Sequence, residues 1–336
     1  MSRGAPMVIK RLLIINSFLF LLLLGAMFLG LSMGSTGGNA KAVWLSLTGG
    51  EGVDPMLSNI IWRIRFPRVI LAALVGAALS SGGLVFQALL RNPLAEPYIL
   101  GISGGAAIGA ILGILLGLAP FPGVSLSAFC GSSATLMLIL ALSSGQTVMI
   151  KDALLLSGVM VNAFCTAVIM FLISLTQDSR LHTIMFWLMG DLASTDLPQA
   201  GMLALMLAPC FLVIFRLSNN MNLLLLGGDL AQTMGINVKA VILILLVVTS
   251  FMVSATVSHC GLIGFVGLVI PHLLRLLLGP DHRVLMPACV LGGGAYMVLC
   301  DLLARVLPAQ GEMSAGVITA MFGAPLFIFL LKRSGR

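Results

Sequence analysis

Ten stretches of about twenty mostly apolar residues, joined by short polar turns, decide what this chain can fold into. They fall near 12–34, 67–90, 101–119, 123–143, 153–175, 198–217, 239–258, 262–279, 284–306 and 315–332. A helix rises about 1.5 Å per residue and a bilayer core is about 30 Å thick, so each run is about the length needed to cross it. Only 9% of the 336 residues are charged, against roughly 25% in a soluble domain. Lipid, not water, must therefore be the solvent for most of the surface. The expected fold is all-α, a polytopic membrane protein of about ten transmembrane helices. No polar stretch is long enough for a separate soluble domain, so residues 1–336 are expected to form one membrane domain.

The first run could be mistaken for a leader peptide, since Ala40-Lys41-Ala42 resembles a cleavage site. From Leu12 to Met33 it is too long for that, because a leader's apolar core is roughly 7–15 residues. It reads as a retained first span. The formal charge of +7 does not mark a nucleic-acid partner, because the basic residues are scattered between apolar runs. They report orientation instead. With the N-terminus inside, twelve basic residues fall on the inner side, among them Arg3, Lys10, Arg11, Arg91, Lys332 and Arg336. Six fall outside: Lys41, Arg63, Arg65, Arg68, Arg180 and Arg305. Both termini are thus expected in the cytoplasm.

Catalytic and metal-binding patterns are missing. None of the five lysines is followed by Ser or Thr, which rules out a P-loop in this chain. His182, His259, His272 and His282 form no HExxH and have no partners at metal-ligand spacing. No GxSxG elbow occurs. The six cysteines stand alone in or beside apolar runs and read as small hydrophobes. Asp301 is the main acidic residue inside a span, and Arg305 lies four residues on, so the two are expected to pair along a helix face. His272, Arg275, Asp281, His282 and Arg283 gather near Pro271 at the inner end of span eight, placed to satisfy carbonyls that the proline frees. Gly101, Gly105, Gly109, Gly113 and Gly117 recur every fourth residue. That spacing leaves a bare helix face for close packing, as does Gly292-Gly293-Gly294 in span nine.

Four segments, in order and spacing, carry a family likeness. The first is Arg65-Phe66-Pro67-Arg68 with Gly76-Ala77-Ala78 and Gln87. The second runs from Arg91-Asn92-Pro93-Leu94-Ala95-Glu96-Pro97 to Leu100-Gly101-Ile102-Ser103. The third is Gly264-Phe265-Val266-Gly267-Leu268-Val269-Ile270-Pro271-His272 with Arg275, Gly279 and Asp281-His282-Arg283. The fourth is Gly316-Val317-Ile318-Thr319-Ala320 with Gly323-Ala324-Pro325, and Trp187-Leu188-Met189-Gly190 adds a weaker fifth. From about residue 60 onward the chain resembles the permeases of iron-siderophore and vitamin B12 ABC importers.

That resemblance implies a type II ABC importer-like permease domain working beside a second permease copy, an identical one by expectation. It also implies two cytoplasmic ABC ATPase subunits, which bind the ATP, and an external substrate-binding protein. The permease itself would hold no cofactor and carry out no catalysis. The resemblance makes Arg65, Arg68 and Arg305 docking points for the binding protein's acidic residues. The inner loop 221–235 has helical character with a breaker at Gly235, and the resemblance makes it, with Leu226, Gly227, Asp229, Ala231 and Gly235, the coupling element that docks into an ATPase. The usual acidic residue is absent at Gly228, and Asp229 stands beside it. Trp187, Met189 and Gly190 fall in the outer gating region. Ser314 stands where a proline is usual. The implied cargo is a ferric siderophore or a related large chelate such as cobalamin or haem, moved by alternating access in a bacterial plasma membrane. The rival reading is an ion-coupled secondary transporter, which would need carboxylates in mid-span. An intramembrane enzyme would need a nucleophile and base, and no such pair is visible.

Overall fold

The computed structural model describes residues 4–34, 40–48, 54–143, 150–193, 195–308 and 311–334, and every regular element among them is helical. Arg3 and Arg336, counted in the charge balance, lie outside the described residues. The helices, in chain order, begin with α1 (Gly4–Ser32), α2 (Ala40–Thr48), α3 (Pro55–Ile60) and α4 (Phe66–Leu90). Then come α5 (Ile102–Leu115), α6 (Ser125–Ser143), α7 (Ile150–Ser174), α8 (Asp178–Met189) and α9 (Leu197–Arg216). The rest are α10 (Ser218–Leu226), α11 (Gly228–Thr233), α12 (Val238–Cys260), α13 (Val266–Leu278), α14 (His282–Val306) and α15 (Ala315–Ser334).

Seven of the ten expected spans are helices long and apolar enough to cross a bilayer. The other three are shorter apolar helices, Ile102–Leu115, Val266–Leu278 and Ala315–Leu330. The 14 residues of α5 and 13 of α13 reach only about 20 Å at 1.5 Å per residue. The expected runs 101–119 and 262–279 are therefore only partly helical. Residues 261–265 are non-helical because Gly261 and Phe265 both adopt left-handed backbone, at φ 71° and 68°. Non-helical backbone at membrane depth survives only where protein covers it, and Ile263 and Gly261 are buried.

Helix starts follow local chemistry. Asp196 accepts from the Gln199 amide at 2.9 Å to open α9, with Pro198 in its first turn. Asn237 caps α12 through the Ala240 amide at 3.1 Å, and Asp281 caps α14 through the Arg283 amide at 3.0 Å. Each cap satisfies an amide that the helix itself leaves unpaired.

The core is built on α4, in which nearly every residue from Pro67 to Leu90 is buried. Around it pack α9, α12, α13 and α14. Small residues let the backbones meet. A Cβ on Gly76 would overlap the Gly293 carbonyl, and one on Gly293 would overlap the Gly76 carbonyl, so α4 and α14 touch main chain to main chain. Gly83 meets Gly267 of α13 in the same way. Lipid chains are as apolar as leucine, so such close packing supplies much of the association energy between spans. By contrast α1 is peripheral, with Leu13, Phe18 and Leu21 exposed.

The glycine series of span three divides by role. Gly105 and Gly109 lie against Gly131, Thr135 and Ser127 of α6, and Gly113 lies beside Ser127. Gly101 instead starts α5 at φ 68° next to Val161 and Asn162 of α7, and Gly117 turns the chain past its end at φ 74° with open space around it.

Candidate functional site

Three groups of predicted residues fall at distinct places. At one end of the bundle, Arg65, Arg68 and Arg305 converge on the last turns of α1 and on Asp301 of α14. Asp301 is fully buried and the three arginines are about 95% buried. Arg68 Nε donates to Asp301 Oδ1 at 2.9 Å, and its Nη1 to Glu312 at 2.5 Å. Arg305 Nε lies 3.1 Å from Asp301 Oδ2, the expected pairing one turn apart. Arg305 Nη1 also reaches the Gly30 carbonyl at 3.1 Å, and Arg65 Nη1 reaches the Leu31 carbonyl at 2.8 Å. These carbonyls belong to the last turn of α1, which has no amides of its own left to meet them.

Three guanidiniums and two carboxylates thus gather at this end among the described residues. Arg305 Nη2 is buried without a hydrogen-bond partner. A cleft of about 230 Å³ opens here, lined by Gly34, Ile60, Ile64, Glu312 and the three arginines. The resemblance makes these arginines docking points; in the structure their side chains are engaged inside the protein and line that cleft. Glu312 escaped the sequence reading; its signal was an acidic residue just before span ten, on the side that already held three arginines.

At the opposite end, residues 221–235 form two helices rather than one. Gly227, at φ 125° and ψ 149°, separates α10 from α11, and Gly235 at φ 85° ends the unit. Such angles suit glycine, which lacks the Cβ that would clash. Asp229 sits in the first turn of α11, where a negative charge is favoured by the helix dipole. Ala231 is wholly buried, while Leu225, Leu226, Leu230 and Met234 are 40–60% exposed. The unit is held by Asn222: its amide donates to Asp281 at 2.8 Å, and its oxygen accepts from the His282 amide at 2.9 Å. Asp281 also meets Arg283 at 2.7 Å. The Arg283 hydrogen bond, helped by Asn222, holds the Asp281 carboxyl down at about 2. Of the polar group expected near Pro271, His282 and Asp281 join this network, while His272 and Arg275 stand apart.

The third group packs inside the bundle. Gly190 follows α8 at φ 78°, and a Cβ there would overlap the Leu262 carbonyl. A Cβ on Gly261 would overlap the Trp187 carbonyl, and one on Gly316 that of Met189. The Asp191 amide donates to the Cys260 carbonyl at 2.9 Å. Trp187, Met189 and Gly190 are therefore interlocked with the irregular 261–265 segment and the start of α15. That segment is clamped again by Tyr98, whose hydroxyl donates to the Ile263 carbonyl at 2.8 Å and accepts from the Ile263 amide at 3.1 Å. Glu96 accepts from the Phe265 amide close by. The sequence reading quoted Glu96 only within a motif and passed over Tyr98, although an aromatic hydroxyl beside an apolar run is the kind of group that needs a partner.

A helical membrane domain with half-length helices beside a central buried span is the architecture of an ABC importer permease of the type II class. A metal-chelate type ABC transporter in an inward-facing conformation superposes with a TM-score of 0.86 at 31% identity, covering 95% of this chain and 99% of that one. PsaBC from Streptococcus pneumoniae, in complex with Fab, shares the fold more distantly, with a TM-score of 0.56 at 18% identity over 86% of this chain and 95% of that one. Residues 21–333 match the model of the FecCD transport family, and the chain belongs to that family. Among its relatives is the vitamin B12 import system permease protein BtuC of Escherichia coli O1:K1, 39% identical over 293 residues, which are 87% of this chain and 89% of that one. BtuC of the O127:H6 strain is 39% identical over 287 residues, 85% of this chain and 88% of the relative.

Proposed function

We propose that this chain is the membrane-spanning permease of an ATP-driven importer for a large metal chelate, cobalamin or a ferric siderophore. The observation that carries the reading is the 39% identity to a vitamin B12 import permease across 87% of the chain. In this reading the chain lies in a bacterial plasma membrane with both termini cytoplasmic, as the twelve-to-six charge asymmetry supports. The arginine cluster then faces outward. The unpartnered Arg305 Nη2 beside the cleft suits an acidic side chain of an external binding protein entering it.

Leu226 of α10 and Leu230 of α11, both exposed, face the cytoplasm and meet an ABC ATPase. A short apolar helix pair outside the bilayer needs a surface to cover it, which supports that assignment. A second copy of the chain completes the pathway, and two ATPases drive it. ATPase closure would move α10 and α11, and through the Asn222–Asp281 contacts would move α14, which is packed main chain to main chain on α4. The Trp187–Gly190 segment would close the outer side.

The test is reconstitution of the complex purified from native membranes, with its binding protein, into liposomes. ATP-dependent accumulation of labelled cobalamin or of a ferric siderophore is the expected result, and the two cargoes are compared directly. Uptake without ATP, driven by an imposed ion gradient, would overturn the reading in favour of an ion-coupled secondary transporter.

A further inference from the structure

A cavity of about 370 Å³ at the Arg91 end shares only Leu225 with the three groups above. It lies where the end of α4, the middle of α13 and the last turn of α10 meet, and Gln87, Arg91, Asn92, Leu225, His272 and Arg275 line it. Arg91 closes α4 in a left-handed conformation, φ 49° and ψ 38°, unusual for a residue with a side chain. Arg91 is exposed and forms no ion pair with the described residues. Arg275 is half-buried, and no carboxylate lies within salt-bridge distance of it among the described residues. The one carboxylate close in sequence, Asp281, is already engaged by Arg283 and Asn222.

Behind the two arginines the wall is polar and unsatisfied. His272 is 6% exposed, and neither ring nitrogen has a hydrogen-bond partner. Gln87 is 2% exposed; its Oε1 has no partner, and its amide reaches the Gly267 and Leu268 carbonyls only at 3.3 and 3.5 Å. Buried polar atoms are nearly always partnered. Two guanidiniums without a carboxylate partner among the described residues thus stand beside a buried imidazole, with its donor and acceptor both unpartnered, and a buried amide oxygen that is unpartnered too. A ligand that answers them must carry negative charge, offer several acceptor oxygens, and bring a donor for Gln87. Guanidinium forks match a phosphate in this way, with two parallel N–H donors to its oxygens.

We propose that this cavity binds a phosphate group between Arg91 and Arg275, with His272 and Gln87 completing the inner wall. Leu225 and Leu276, 40% and 54% exposed, edge the same mouth. An apolar rim beside a basic floor suits the headgroup of an anionic phospholipid, whose hydroxyls would meet Gln87. Free phosphate shares the chemistry without using the rim. Because Leu225 belongs to α10, a bound phosphate would join the exposed helix pair to α4 and α13. This holds whichever ATPase or cargo the transporter uses.

The test uses the purified full-length chain with its bound subunits, stripped of lipid in neutral detergent. Phosphatidylglycerol, phosphatidylcholine and inorganic phosphate are titrated separately, reading native mass spectra and thermal shift. Arg91→Gln, Arg275→Gln and their combination are compared with Arg283→Gln, which removes an equally basic residue at the same end. The expected result is phosphatidylglycerol binding at least tenfold weaker in the double variant and unchanged in Arg283→Gln, with phosphatidylcholine weaker throughout. Binding of inorganic phosphate with the same variant dependence would assign the site to a free anion. Because Arg91 is exposed, Arg91→Gln folds and alone must weaken binding severalfold. If both anions bind the double variant as they bind the parent chain, or neither binds the parent, the proposal falls.

Discussion

Replacing Asp301 with asparagine keeps the side chain's shape but strips the charge that Arg68 and Arg305 share. Asp301 has no exposure, and the two arginines have about 4%. Breaking a buried ion pair from one side costs about 3–5 kcal/mol, because the charge left behind has no water to return to. Some compensation survives here. Arg68 keeps Glu312 at 2.5 Å, and Arg305 keeps the Gly30 and Met33 carbonyls at 3.1 and 3.4 Å. The loss therefore belongs at the lower end, about 3 kcal/mol, which at about 2 °C per kcal/mol lowers the melting temperature by roughly 6 °C. Glu312→Gln is the internal control. Its carboxylate is 36% exposed, so solvent screening holds its effect below about 1 kcal/mol. Adding Arg305→Gln to Asp301→Asn should restore part of the loss, since one stranded charge goes with it. The assay is thermal melting in mild detergent, followed by size-exclusion fluorescence. If Asp301→Asn melts within about 1 °C of the parent, the arginines draw their compensation from elsewhere, and this cluster is not what ties α4 to α14.

Three further outcomes are expected. Gly83→Val forces a branched side chain into the Gly267 main chain and should abolish recovery of folded protein, while Gly201→Ala, with open space around it, should be recovered like the parent; equal yields would refute the close packing of α4 on α13. Tyr98→Phe removes both hydrogen bonds to Ile263 and should cost about 1–3 kcal/mol in melting experiments, whereas an unchanged melt would mean that the 261–265 segment is held by packing alone. The Asp281 carboxyl is held at about 2, below its usual 3.8, so its stabilisation is complete above the usual value and lost as pH falls toward 2. The gap in melting temperature between the parent and Asp281→Asn should stay constant from about pH 5 to pH 8 and narrow below about pH 4; a gap that already narrows near pH 6 would contradict the Arg283 and Asn222 contacts.

The ten spans were legible because lipid imposes one simple demand, an unbroken apolar length, and sequence displays length directly. The shortening of α5 and α13 was less visible. Residues 261–265 are as apolar as a helix would be, and only the left-handed backbone at Gly261 and Phe265 separates them from the helices on either side. Phenylalanine gives no warning of that. Asp301 and Arg305 could be paired in advance because both sit on one helix. The contribution of Arg68 could not, since 233 residues separate it from Asp301 and nothing in sequence spacing brings α4 beside α14. The region 221–235 was readable as helical, and its last glycine as a stop. The break at Gly227 depended on a backbone angle that glycine permits but does not require.

The separation between Arg68 and Asp301 also sets an order of events during synthesis. Ribosomes add about 5–20 residues per second, so roughly 10–50 s pass between the appearance of Arg68 and that of its partner. Throughout that interval α4 carries Arg68 without the Asp301 carboxylate that it later meets, and the last turn of α1 keeps carbonyls that Arg305 has yet to reach. The early spans must wait at the membrane interface, with their guanidiniums in the headgroup layer. The contacts that tie α4 to α14 form only when α14 arrives.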